Sequence, residues 1–178
     1  NDLITFIKGY SVTLQGTSNE IDSETNFLNT GTTTIGNNAG DSSTFRDGLI
    51  STSGPVSIAG TITVSNGDNE MRFGTTTVSD DSTLDPPPSE GVGTPLIFFE
   101  GALTINDAKT LIAGNDNNTS ISFGSTIDSA FMSDFGISAR FPVGQAYVYG
   151  SVIVQADELK HLITCTRRIP IHMKISAG

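Results

Sequence analysis

The chain has no tryptophan, a single cysteine and few charges for its 178 residues. Each shortage excludes something. Cys165 has no partner for an intramolecular disulfide, so its ordinary role is that of a small buried hydrophobe. No apolar run reaches the ~18 residues of a membrane-spanning helix, which argues against membrane insertion. Helical periodicity is nearly absent before residue 155, leaving short apolar runs punctuated by Gly, Asn, Asp and Ser, the pattern of strands and turns. Charged side chains make up 16% of the chain, against roughly 25% in ordinary soluble domains.

Thr, Ser, Gly and Asn take the place of the missing charges. Thr fits a pleated surface, while Gly and Asn accept positive φ at turns. The charges present are mostly acidic, 19 carboxylates against 9 Lys and Arg. That balance argues against nucleic acid or an anionic membrane as partner and favours solubility. Residues 1–156 hold 17 acidic and 5 basic side chains, whereas residues 157–178 hold 2 and 4. The tail therefore differs in character from the body. The chain starts at Asn1 rather than Met, as expected of a processed or excised sequence.

Two phrases alternate along the body. One is Phe-x-x-Gly, starting at Phe6, Phe45 and Phe98, in steps of 39 and 53 residues. The other is Gly-Thr/Ser-Thr, with its glycine at Gly31, Gly74 and Gly124, in steps of 43 and 50. Interleaved, they form a degenerate repeat of roughly 40–50 residues, each holding two units of about 20–25. That unit length suits one turn of an irregular β-solenoid, a parallel β-helix. Inward Phe, Ile and Val would stack on their equivalents and Gly and Asn would turn the corners. A β-sandwich or jelly roll also spaces strands at 8–12 residues and is the alternative.

Expected strands are 3–7, 11–14, 26–28, 32–35, 43–46, 56–58, 61–64, 70–73, 75–78, 96–100, 102–105, 110–112 and 120–124. Residues 80–95, with Pro86, Pro87, Pro88 and Pro95, read as an extended loop, and residues 113–120 as a polar corner. The repeat body thus occupies residues 1–130. Residues 131–178 read as a β-rich C-terminal cap or assembly segment, with strands at 137–141, 146–155 and 169–175 and one short helix at 156–165.

The stretch TTTIGNNAGDSSTFRDGLISTSGPVSIAGTITVSN, followed by MRFGTTTVSDDSTLD and NNTSISFGSTIDSA, resembles the repeats of large bacterial surface proteins. These are the filamentous-haemagglutinin-like and autotransporter-passenger β-strand-repeat families. The resemblance spans roughly residues 25–130 and leaves the last fifth of the chain outside. It implies a right-handed parallel β-helix, export to the cell surface, and a role in adhesion or extracellular structure. It brings no catalytic motif.

Candidate chemistry is sparse. Gly40-Asp41-Ser42-Ser43 contains the Gly-Asp-Ser of some serine esterases, but Asp157 and His161 are wrongly spaced to activate a serine. A polar corner is the simpler reading. Asp68 with Glu70, Asp80 with Asp81, and Asp116 are acidic clusters that lack any calcium-loop spacing, and read as solvated turns. Glu70, Asp80, Asp81 and Glu100 would serve a polysaccharide-cleaving β-helix only if gathered on one face. His161 and His172 have no cysteine pair to make a zinc site. Arg167 and Arg168 are too few for a nucleic-acid patch and suit an edge guard or interface.

Phe6, Phe27, Phe45, Phe73, Phe98, Phe99 and Phe123 read as a stacked core rather than a sugar-binding ladder. Asn117 with Thr119, and Asn118 with Ser120, match the glycosylation pattern. The Thr runs at 32–34, 61–63 and 75–77 suggest an ice-binding face, but their spacing is too irregular for a regular grid and β propensity accounts for them equally well. The expectation is therefore an extracellular, non-enzymatic structural or adhesive module with no cofactor and no metal. Its partners would be itself, neighbouring segments of a larger surface protein, or glycans. A subunit of a filament, pilus or viral particle is the alternative.

Overall fold

The computed structural model describes residues 2–66, 70–86, 96–106, 109–114, 120–125, 127–129 and 146–148. All strand pairings among them are parallel. The chain winds into a β-solenoid, and the antiparallel sandwich or jelly-roll alternative is set aside by this pairing.

Each coil lays down strands in three stacks. The first coil carries β1 (Val12–Leu14), β2 (Asn19–Ile21) and β3 (Thr25–Asn26), and the second β4 (Thr33–Ile35), β5 (Ser42–Phe45) and β6 (Leu49–Ser51). In the third coil β7 (Val56–Val64) serves stacks one and two, followed by β8 (Glu70–Phe73). The fourth repeats this with β9 (Thr76–Asp85) and β10 (Leu96–Phe99). The fifth has β11 (Leu103–Ile105), β12 (Leu111–Ala113) and β13 (Ser120–Phe123). Beyond it, β14 (Ile127–Ser129) extends stack one and β15 (Ala146–Val148) extends stack three. Because β7 and β9 run through a corner, stacks one and two share one nine-stranded sheet, while stack three is six-stranded.

Alternation decides which side chains enter. In β7, Val56, Ile58, Ile62 and Val64 are buried, while Ser57, Thr61 and Thr63 face outward. The same period of two repeats in β4, β5, β8 and β11, and stacking places inward residues on inward residues. Along stack one the register runs Val12, Thr33, Val56, Thr76, Leu103, Ile127. The successive coils therefore take 21, 23, 20, 27 and 24 residues, and the corners absorb the differences.

The core contains a column of aromatic rings. Phe73, Phe99 and Phe123 are in register in stack three, with centroids 5.5 Å and then 5.4 Å apart. Ser51 occupies the same column one coil earlier. The N–H of Phe27 donates to the Ile50 carbonyl, which aligns Phe27 with Ser51. The small serine leaves room for Phe45 of stack two, whose ring meets Phe27 edge to face at 6.3 Å.

A second column stands at the corner leading into stack one, where Gly31, Gly54, Gly74 and Gly101 recur at one register position. There the backbones of successive coils pass so closely that a Cβ on Gly31 would strike the Tyr10 carbonyl and one on Gly54 the Gly31 carbonyl.

Several expectations need correction. Residues 3–7 form no strand. They lie against the first coil through Thr5, whose hydroxyl donates to the Asn26 carbonyl (2.9 Å) and accepts from the Leu28 N–H (2.7 Å). Phe6 is exposed rather than core, while its neighbour Thr5 is buried. Phe98 faces outward, since Phe99 holds the inward position and neighbours on a strand alternate. The loop expected over 80–95 begins too early: Ser82 to Asp85 continue stack two opposite Gly60 to Thr63. The proposed segments at 137–141 and 169–175, most of 146–155, and the helix at 156–165 lie outside the described residues.

Candidate functional site

Two features on the outside of the solenoid gather polar side chains. The first is the corner between stacks one and two. Coil two rounds it with Gly36 to Asp41, coil three with only Ala59 and Gly60, and coil four with Ser79 to Asp81. Asp41 is buried and organises its own loop, accepting from the Asn37 N–H (2.8 Å) and from the side-chain amide of Asn38 (3.0 Å). The Ala39 N–H reaches over the short corner of coil three to Asp80 of coil four (3.3 Å).

Lys109 of coil five donates to Asp80 at 2.7 Å, and the Thr110 N–H donates to Asp81 at 2.9 Å. Coils two, four and five are tied together at this corner. The hydrogen bond from Lys109, followed by that from the Asp81 N–H, holds the Asp80 carboxyl below its ordinary value, and Asp80 in turn raises Lys109.

The second feature is on stack three. Arg72 projects outward between Glu70 of its own strand and Glu100 of the next coil, pairing with both, with Glu100 at 2.7 Å. Its guanidinium also lies 5.2 Å from the centroid of the Phe98 ring. Glu70 and Glu100 thus share one cation on stack three, while Asp80 and Asp81 stand at a corner and are met by Lys109 and Thr110. The four carboxylates thus fall into two pairs at separate places and are not gathered on one face.

Among the described residues, no three His, Cys, Asp or Glu side chains come together to hold a metal. No helix among them is long and apolar enough to cross a membrane. Of the Gly-Asp-Ser stretch, Gly40 and Asp41 belong to the corner, Ser42 opens β5 facing outward, and Ser43 turns inward to accept from Asn19 (3.2 Å). Asp68, Asp116, Asn117, Asn118, Thr119, Asp157, His161, Cys165, Arg167, Arg168 and His172 lie outside the described residues.

The threonine runs are where the structure adds most. On the outer side of stack one, Thr13, Thr34, Ser57, Thr77 and Thr104 stand in one unbroken register. Two residues earlier in each coil, Ser11, Thr32, Pro55, Thr75 and Ala102 form a parallel column. Its alignment is carried by carbonyls of Thr32, Pro55, Thr75 and Ala102, each accepting an N–H from the neighbouring coil.

Eight of these ten positions bear hydroxyls and none bears a charge. The irregular linear spacing that argued against a grid is taken up entirely in the corners. The signal was present as the repeated three-residue pattern Ser11-Val-Thr13, Thr32-Thr-Thr34, Pro55-Val-Ser57, Thr75-Thr-Thr77 and Ala102-Leu-Thr104, once strands rather than constant intervals are aligned.

No family model matches the chain, and neither does any curated protein or solved structure.

Proposed function

We propose that the protein is a non-enzymatic, extracellular structural module: a stiff β scaffold that self-associates and displays long lateral faces to its surroundings. The observation that carries this reading is the uninterrupted register of stack one from Val12 to Ile127. Backbone ladders and a stacked apolar core resist bending, and each coil needs only its neighbours. The resemblance of residues 25–130 to bacterial surface-protein repeats supports a place outside the cell.

Self-association is supported by the end of the stack near β1. Among the described residues, strands β1 and β2 each pair on one side only, and an edge of that kind is a template for another chain. Beside it Ile4, Phe6 and Ile7 are 72%, 64% and 75% exposed. A second copy or an adjoining segment of a longer surface protein satisfies the same edge.

Negative-stain electron microscopy with light scattering on the same sample tests the reading. Rods that join end to end are expected, with assembly lost in an Ile4→Ser, Phe6→Ser, Ile7→Ser variant whose circular dichroism is unchanged. Monodisperse monomers at all concentrations would sink the self-association.

A further inference from the structure

The outer face of stack one differs from the other faces in charge. It carries none over five coils, although the chain is acidic and the other faces are charged, and Asp128, in register with Thr104, follows only in the sixth. Stack two shows Glu20 and Asp85, with Arg46 just beyond it, and stack three shows Glu70, Arg72 and Glu100. Its hydroxyls are unengaged, as are those of Thr44, Thr61, Thr63 and Thr83 on the outside of stack two. Among the described residues, Ser11, Thr13, Thr32, Thr34, Ser57, Thr75, Thr77 and Thr104 take no side-chain hydrogen bond from the protein. The inward or buried hydroxyls of Thr5, Thr25, Thr33, Thr76 and Ser82 all do. High β propensity accounts for threonine on an outer face, but not for the absence of charge from all ten of these positions.

The spacing of the grid follows from sheet geometry. Neighbouring strands stand ~4.8 Å apart, and residues two apart on a strand are separated by ~6.7 Å. A tetrahedral water network with O–H···O distances of ~2.75 Å places oxygens that share a neighbour ~4.5 Å apart, and repeats every ~7.3 Å across its puckered layers. Both mismatches are about a tenth or less. Threonine is stiff at χ1, so little side-chain freedom is lost when its hydroxyl joins an external lattice. The methyl beside each hydroxyl gives water no hydrogen bond and leaves lattice order intact. A charged side chain would orient water around itself, and none of the ten grid positions bears one.

We propose that this face binds ice, with the paired columns 11/32/55/75/102 and 13/34/57/77/104 acting as its lattice-matched contact. The proposal rests on the scaffold reading only in requiring a stack that holds its register.

The test is ice shaping, thermal hysteresis and ice-recrystallisation inhibition by the full chain, with circular dichroism to confirm folding. Thr34→Lys and Thr77→Lys each place a charge on the grid. Thr63→Lys places one on stack two beside Asp85, where Thr63 and Asp85 are in register. The wild type is expected to facet ice crystals and slow recrystallisation. The two grid variants should need about ten-fold more protein for the same effect, and Thr63→Lys no more than about two-fold.

A folded wild type that leaves ice growth unchanged would overturn the proposal while leaving the scaffold intact. Equal impairment by Thr63→Lys would overturn the assignment to stack one. Binding to crystalline cellulose or chitin that the grid variants abolish, without any effect on ice, would overturn it in favour of a polysaccharide. Loss of the folded rod in the wild type would remove both readings together.

Discussion

The rings of Phe99 and Phe123 lie 5.4 Å apart between centroids, stacked within 4° of parallel. With Phe73 on the other side of Phe99, they form the continuous aromatic part of the core. Phe99 is fully buried between coils three and five. Phe99→Ala should therefore cost ~3–5 kcal/mol in urea unfolding, through lost transfer free energy and a cavity between two fixed rings. Because coils touch only their neighbours, hydrogen exchange should show protection lost first in β8, β10 and β13. Phe98→Ala, one residue away on the outer face, should cost ~1 kcal/mol or less, the scale of its contact with Arg72.

Gly60 turns the short corner of coil three at φ 74°, and an added Cβ would collide with the carbonyl oxygen of Asp41 in the coil beside it. Gly16, at φ 104°, turns the corresponding corner of the first coil with open space around it. Both substitutions to alanine impose a strained backbone, worth ~1–3 kcal/mol. Only Gly60→Ala also pushes two coils apart. Thermal melts should rank Gly60→Ala well below Gly16→Ala, and equal melting temperatures would mean that the corner relaxes freely.

The architecture was largely legible because alternation and turn chemistry act locally. Strand 70–73 was read at its observed limits, and most others within a residue or two. The failures were of phase and register. Phe45 and Phe98 open similar phrases, yet Phe45 enters the core and Phe98 does not. The Gly48 of one phrase turns the corner into stack three, whereas the Gly101 of the other turns the corner into stack one. Strands β2 and β6 were missed because Asn19-Glu20-Ile21 and Leu49-Ile50-Ser51 are too short to show a period. Linear spacing hides the threonine grid, since corner lengths cannot be read without knowing which strands pair. The corner cluster is invisible for the same reason: Ala39, Asp80 and Lys109 meet only once coils two to five have stacked.

Asp80 offers an acid-sensitive contact. Its pKa is lowered from an ordinary 3.8, chiefly by the hydrogen bond from Lys109. A carboxyl with a depressed folded-state value contributes stability that is complete above its unfolded value and lost as pH falls through the folded one. Wild-type melts should therefore show a component that declines below about pH 4 and is absent from Asp80→Asn. Lys109 is raised from 10.5 by the same partner, so its share is present below that value and fades as pH rises further. A pH profile of Asp80→Asn parallel to that of the wild type below pH 4 would show that the contact is not held in solution.

Arg72 gives a prediction with a salt signature. It pairs with Glu70 and Glu100 and covers the ring of Phe98, and all three charged side chains are about a third exposed. Pairs at that exposure are screened, so Arg72→Met should cost only ~1 kcal/mol or less at low salt. The sign of the salt effect is more informative than the size. In the wild type, salt weakens a favourable attraction and should lower stability slightly. In Arg72→Met the two glutamates of adjacent coils face each other without a shared cation, and salt should raise stability by screening their repulsion. Melting temperatures at low and high salt, compared between the two proteins, give opposite slopes if Arg72 bridges the coils, and parallel slopes if it does not.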